Sequence, residues 1–283
     1  MRCVLTERRA SGEIAHVELI GTTIARLMGI PQEDRHSLFA WANVTLDHDD
    51  HDLGESTARQ AEASAEMFAY GTALIAEKVR CPADDILSAV ANATIPSPAG
   101  EGDEPLADLE VQMFFNLLIA AGSETTRNSI AGGLLAFTEN PDQWRLLHDR
   151  SLLPGAVEEI LRHTSSTAYN RRTATVDVEL HGRTISAGDK VTLWWPSANH
   201  DEAVFADPYR FDITRQKNRH LAFGHGSHFC LGANLARLEM KVVFDALLDR
   251  VDHVELLEPP EWTRSNKHTG LRHLRVGFTR CGG

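Results

Sequence analysis

FGHGSHFCLG, residues Phe223 to Gly232, sets a single thiol, Cys230, among three glycines and two histidines. The other cysteines are Cys3, Cys81 and Cys281, and no pair of the four has a Cys-x-x-Cys spacing. A zinc ribbon, a thioredoxin-like dithiol and a four-cysteine iron–sulfur site therefore lack ligands. Four cysteines in 283 residues are also too sparse for a secreted disulfide scaffold. Whatever chemistry this loop performs uses one sulfur.

Directly after it, LGANLARLEMKVVFDALL places Leu231, Leu235, Leu238, Val242 and Ala246 on one face of an amphipathic helix. Cys230 thus stands just ahead of a helix amino terminus, where unpaired amides and the helix dipole favour a thiolate. Gly224, Gly226 and Gly232 let the backbone come close to a flat object. A thiolate with one open face and amide donors nearby is what an axial haem ligand requires. A redox-sensing cysteine needs the same thiolate but gives no reason for the glycines.

Composition is that of an ordinary globular chain, with 42% hydrophobic and 24% charged residues, enough for one large or two modest domains. A formal net charge of -12 argues against general nucleic-acid binding, which needs a basic footprint. The start, MRCVLTERRASGE, has no apolar signal core, so a cytoplasmic, reducing location is expected.

The first ninety residues read as helical. Val17, Ile20, Ile24, Leu27 and Met28 recur at three-to-four spacing, and Gly29-Ile30-Pro31 ends that helix. DHDDHD, Asp47 to Asp52, reads as a solvated acidic loop, because its alternation does not fix ligand geometry. TIPSPAGEGDEP, Thr94 to Pro105, reads as a connecting loop.

The most apolar stretch runs from Leu109 to Phe137. A membrane span needs about 20 predominantly apolar residues, and Asn116, Glu124 and Arg127 interrupt this one. A long helix through a core fits better. Its middle, Gly122, Ser123, Thr125 and Thr126, is made of indifferent or poor helix formers. Thr125 could bond the carbonyl of Ala121, and Thr126 that of Gly122, opening a local distortion. Such a notch serves either a bound group beside the helix or a close crossing by another helix.

LPGAVEEILRH, Leu153 to His163, is a short helix with Glu159 and Arg162 three apart. Val176, Val178 and Leu180, then Val191, Leu193 and Trp195, alternate about a His-Gly turn and predict a small antiparallel sheet. FADPYRF, Phe205 to Phe211, is irregular and holds Arg210 between aromatics.

Taken together, FGHGSHFCLG, AGSETT, EILR and PYRF resemble, in kind and order, the haem loop, distal-helix motif, Glu-x-x-Arg pair and intervening segment of the cytochrome P-450 monooxygenases. The likeness runs from about Ala15 to Gly277 and looks nearest to soluble bacterial members acting on steroid side chains or terpenoids. It implies a mainly α fold with small antiparallel β-sheets, residues 1–283 forming a single domain that lacks the family's amino-terminal part. It also implies haem b, iron protoporphyrin IX, as cofactor.

By position, the resemblance makes Cys230 the thiolate metal ligand and Phe223 the aromatic beside it, with Gly226 and Gly232 in the same loop. His228 and Arg172 match propionate-binding positions. Ala121 and Gly122 would face the haem, while Glu124 and Thr125 would deliver protons during oxygen cleavage. Glu159, Arg162 and Arg210 match a buried structural charge network.

The implied reaction inserts one atom of O2 into a C–H bond of a hydrophobic small molecule, steroid or terpenoid-like. No Gly-x-Gly-x-x-Gly after a strand is present, so electrons come from outside, from a ferredoxin and its reductase. The basic run RQKNRH, Arg215 to His220, is expected to steer an acidic ferredoxin, or else is a solvated loop. Family members carry a further amino-terminal segment with most of a second sheet. Without it the chain is expected to expose an apolar patch, to be poorly soluble and to hold haem weakly. The alternative to an enzyme is a non-catalytic haem-binding fragment.

Overall fold

Glycine and proline punctuate a mostly helical chain. In order it forms β1 (Arg2–Glu7), β2 (Ile14–His16), α1 (Leu19–Leu27), α2 (Arg35–Leu46), α3 (Thr57–Arg80), α4 (Ile86–Ala91), β3 (Thr94–Pro96), β4 (Asp103–Pro105), α5 (Asp108–Glu139), α6 (Pro141–Leu147) and α7 (Leu153–Thr164). There follow β5 (Tyr169–Thr173), β6 (Val178–Leu180), β7 (Arg183–Ile185), β8 (Lys190–Trp194), α8 (Trp195–Asn199), α9 (Ala233–Leu248), β9 (Val251–Leu256), β10 (Glu261–Trp262) and β11 (Leu271–Arg280). This is a computed structural model, and it describes residues 2–7, 14–16, 19–46, 57–97, 100, 102–265 and 268–280. The acidic run Asp47 to Asp52 and the first periodic residue, Val17, lie outside the described residues. The chain divides into two compact units, Val17–Thr125 and the combination of Met1–His16 with Thr126–Gly283.

In the unit Val17–Thr125, α1 ends where the glycine requires it. Gly29 has φ +66°, and the Ile30 N–H reaches back to the Ala25 carbonyl at 2.9 Å. Met28, Leu38, Leu87, Phe115 and Ile119 form the buried centre of this unit. The expected connecting loop contains a short ribbon, β3 against β4, with Ile95 opposite Glu104.

In the other unit, Phe137 at the carboxy end of α5 makes edge contacts with Trp144, Phe211 and Phe244 at 5.2, 5.2 and 5.7 Å. A methyl group at Gly133 would stand 2.9 Å from Ile160 and 3.0 Å from Phe244, so α5 meets α7 and α9 backbone-close. β6 and β7 pair across His181 and Gly182, both at positive φ, as the alternating pattern and His-Gly turn indicate. β8 pairs instead with β5, setting Arg172 opposite Val191.

The fold is mainly α with small antiparallel sheets, as expected. The first ninety residues are not all helical, because β1 and β2 precede α1. One strand pair is parallel. β1 runs parallel to β11, with Arg2 opposite His273, inside a five-stranded sheet completed by β2, β9 and β10. A parallel pair needs a long crossover, and here nearly the whole chain provides it.

Candidate functional site

α7 carries an ion cluster that needs nothing from outside the protein. Arg162 is 0% exposed. It donates from Nε and Nη2 to Glu159 at 2.8 Å each, and to the carbonyls of Asn199, Pro208 and Arg210 at 2.8, 2.7 and 3.2 Å. Those five bonds match the five N–H groups of a guanidinium. Glu159 in turn accepts from the Asp212 amide at 2.9 Å, Asn218 Nδ2 at 2.9 Å and Arg215 Nε at 3.2 Å.

The second cation of the network is therefore Arg215, not Arg210. Arg210 contributes its carbonyl and turns an exposed side chain outward after Asp207, whose φ is +47°. Arg215 also donates to the carbonyls of Ala206, Asp207 and Arg210, so it is fixed rather than free to steer a partner. His220, the last residue of the same basic run, is bound to Glu158 at 3.0 Å. Among Arg215, Lys217 and Arg219, only Lys217 and Arg219 are exposed.

From this platform the chain passes Leu221, whose amide is held by Asn199 Oδ1 at 2.7 Å, into the cysteine loop. Gly224 and Gly226 adopt φ +72° and +76°, a region that side-chain-bearing residues avoid. The Cys230 N–H closes the loop on the Phe223 carbonyl at 2.9 Å, and the Cys230 carbonyl accepts from Ala233, the first residue of α9, at 3.3 Å. Cys230 is an exposed free thiol. Phe229 and Leu231 on either side are 52% and 79% exposed.

Beneath the loop, Phe223 lies against Arg237, and Arg237 is paired with Glu158. Burial works against ionising Glu158, but hydrogen bonds from His220 and Arg237 outweigh it and hold its pKa at about 2. Hydrogen bonding to Glu158 raises Arg237 against the effect of its own partial burial, with Glu158 and Cys230 charges adding to the rise. Arg215, Asn218, Asn199, Glu158 and Arg237 carry no local sequence signal. They find their partners across the fold.

Arg172 and His228 belong to the same unit and are exposed. Ala121, Gly122, Glu124 and Thr125 belong to the other. There, α5 is unbroken from Asp108 to Glu139, without the expected distortion, although Thr125 Oγ1 does donate to the Ala121 carbonyl at 2.9 Å. Glu124 is buried and Ala121 is exposed. Gly122 serves a helix crossing: a Cβ there would stand 2.5 Å from Ile24 of α1.

The loop suits a haem on three counts. Its donor is a single accessible thiol, the soft ligand that iron porphyrin takes in this way. Exposed Phe229 and Leu231 offer apolar surface beside it, and a Cβ at Gly226 would meet nothing within 4 Å. Exposed guanidinium and imidazole groups at Arg172 and His228 are donors of the kind carboxylates accept. Among the described residues no cluster of His, Cys, Asp and Glu could hold a metal otherwise. No described helix is long and apolar enough to cross a membrane.

The family model for cytochrome P450 matches residues 139–270. Mycobacterium tuberculosis cytochrome P450 126 is 52% identical over 93% of this chain and 63% of its own length. The methyl-branched lipid omega-hydroxylase of the same organism is 44% identical over 90% of this chain and 59% of its own. The chain thus spans roughly three-fifths of these relatives. The crystal structure of CYP109E1 from Bacillus megaterium in complex with testosterone superimposes with a TM-score of 0.80. It is 33% identical and covers 91% of this chain and 69% of that one.

Proposed function

The chain belongs to the cytochrome P450 family, and we propose that it is the haem-binding part of a monooxygenase that inserts one atom of O2 into a C–H bond of a hydrophobic substrate. The observation that carries this reading is the Cys230 loop, an exposed thiol framed by two left-handed glycines and closed on Phe223. Haem, when bound, supplies the oxygen activation that side chains lack. Cys230 Sγ would hold its iron, and Arg172 and His228 would meet its propionates.

Glu124 and Thr125 are proposed as the proton-handling pair. Thr125 Oγ1 donates its hydrogen to the Ala121 carbonyl, and a hydroxyl is able both to donate and to accept a proton. Buried Glu124, next in sequence, is the nearby store of protons. Residues 1–283 would act as part of one catalytic domain.

A steroid or terpenoid-like substrate is supported by the row Leu109, Met113 and Leu117 on α5. They are 62, 56 and 61% exposed, four residues apart, and lead towards Ala121. The lipid and testosterone in the names of the two proteins above agree with a hydrophobic substrate. Ferredoxin and its reductase are the proposed electron donors, with Lys217 and Arg219 as exposed steering charges, in a cytoplasm that keeps Cys230 reduced.

The test is the reduced carbon-monoxide spectrum of the haem-loaded chain. A strongly red-shifted Soret band is expected, and Cys230→His should abolish it while some haem remains. A band that survives the substitution removes Cys230 as ligand. Thr125→Ala should keep the substrate-induced spectral change and divert reducing equivalents to peroxide or water, and unchanged coupling removes Thr125 from proton delivery.

A further inference from the structure

We infer that Arg237 is a positioning residue for the Cys230 ligand, latching its loop to α7 through the ring of Phe223. The inference rests on the haem-thiolate reading above. Arg237, on α9, holds its guanidinium carbon 4.6 Å from the centre of the Phe223 ring. The same group is forked onto Glu158 of α7, with Nε to Oε1 at 2.6 Å and Nη2 to Oε2 at 2.9 Å. Glu158 also binds His220 at 3.0 Å, and the His220 ring lies 5.9 Å from that of Phe223. The Phe223 carbonyl then accepts the Cys230 N–H at 2.9 Å.

One forked ion pair, one cation–π contact and one hydrogen bond therefore join α7 to the backbone of the ligand residue. A forked pair fixes a plane as well as a distance, and a plane is what a stacked guanidinium needs. The rest of the loop offers few side-chain anchors. Gly224 and Gly226 have none, and residues 225–232 are all exposed. The loop is thus anchored chiefly at the Phe223 end, and Phe223 is held by Arg237. About three-quarters of the Arg237 and Glu158 side chains is covered, with 27% and 28% exposed, so water competes only in part.

Lysine at 237 would keep the charge but lose the fork. Glutamine would lose both. In the haem-loaded chain, Arg237→Gln should lower the ratio of red-shifted to unshifted carbon-monoxide adduct by on the order of tenfold. The midpoint potential should shift with it, and Arg237→Lys should recover part of both signals. In a Phe223→Leu background, Arg237→Gln should add little, because the ring through which it acts is gone.

Melting of the haem-free variants reports folding separately. Should the glutamine variant fail to fold, Arg237→Lys carries the test, with an intermediate ratio expected. An unchanged ratio and potential, or an equal effect with and without the Phe223 ring, overturns the inference. If the unmodified chain loads haem but never shows the red-shifted band, the haem-thiolate reading itself is wrong and this inference falls with it.

Discussion

On α7, Arg162 satisfies every guanidinium N–H within the protein and is sealed from water, whereas from His225 to Gly232 every residue is exposed. Both regions belong to one unit and are joined through Asn199, which supplies its carbonyl to Arg162 and its side chain to Leu221. The first is polar chemistry that the chain completes by itself. The second presents a thiol, apolar side chains and donors that the chain leaves uncovered. Stability should therefore reside in the cluster, and ligand chemistry in the loop. Substitutions that cross that line break the comparison.

Arg162→Leu tests it most severely. It removes the forked partner of buried Glu159, which keeps Arg215 and Asn218, and leaves the buried carbonyls of Asn199 and Pro208 without this donor. Removing one partner of a buried pair costs about 3–5 kcal/mol. That is a large part of the stability of a typical domain. Denaturant unfolding should show the loss with or without haem. A loss confined to the haem-loaded protein would show that the cluster serves the ligand instead.

Acid sharpens the contrast next. Burial, then the Arg162 charge and His200, push the pKa of His163 down to about 4. The unfolded chain therefore binds a proton on this residue that the folded chain refuses. Its contribution is complete above about 6.5 and is lost as pH falls from there to about 4, on the order of 3 kcal/mol in all. Glu158, held at about 2, adds a second loss between about 4.5 and 2, because here the folded state keeps the carboxylate that the unfolded state protonates. His163→Phe should flatten the upper limb of a stability–pH curve and leave the lower one. An unchanged upper limb would mean that His163 is not its source.

The basic run divides along the same line. Arg215→Leu should lower stability by about 1–3 kcal/mol, because it leaves Glu159 and three carbonyls short of donors. Reversing Lys217 and Arg219 to glutamate should change stability by less than about 0.5 kcal/mol. It should act instead on the salt dependence of reduction by a ferredoxin. Equal melting temperatures for the two sets of variants would erase the division.

Sequence reading reaches local features of this kind and stops at closures. Glu159 and Arg162 are one helical turn apart, so their pairing is visible in EILR. That Arg215 rather than Arg210 reaches Glu159 depends on the path of the irregular segment between them, which residue types do not announce. The cysteine loop is legible because its glycines and the following helix are contiguous. Arg237 and Glu158, which support it, lie on different helices and meet only after folding. Gly122 shows a different limit. A small residue admits either a ligand or a neighbouring helix, and that Ile24 of α1 lies against this one is visible only after folding. RCVLTE could be extended, but its partner strand comes near the other end of the sequence, beyond the reach of any window of residues.

That distant pairing has a consequence for how the chain is made. β1 leaves the ribosome long before β11, and at about 5–20 residues per second the wait is on the order of tens of seconds. During it, β1 has β2 as its neighbour from this part of the chain, as in the register of Val4 with His16, and the edge that takes β11 waits for its partner. A nascent chain whose strand waits that long for its final partner is a natural client for a holding chaperone. Slow codons placed between α5 and β9 would lengthen that exposure rather than relieve it.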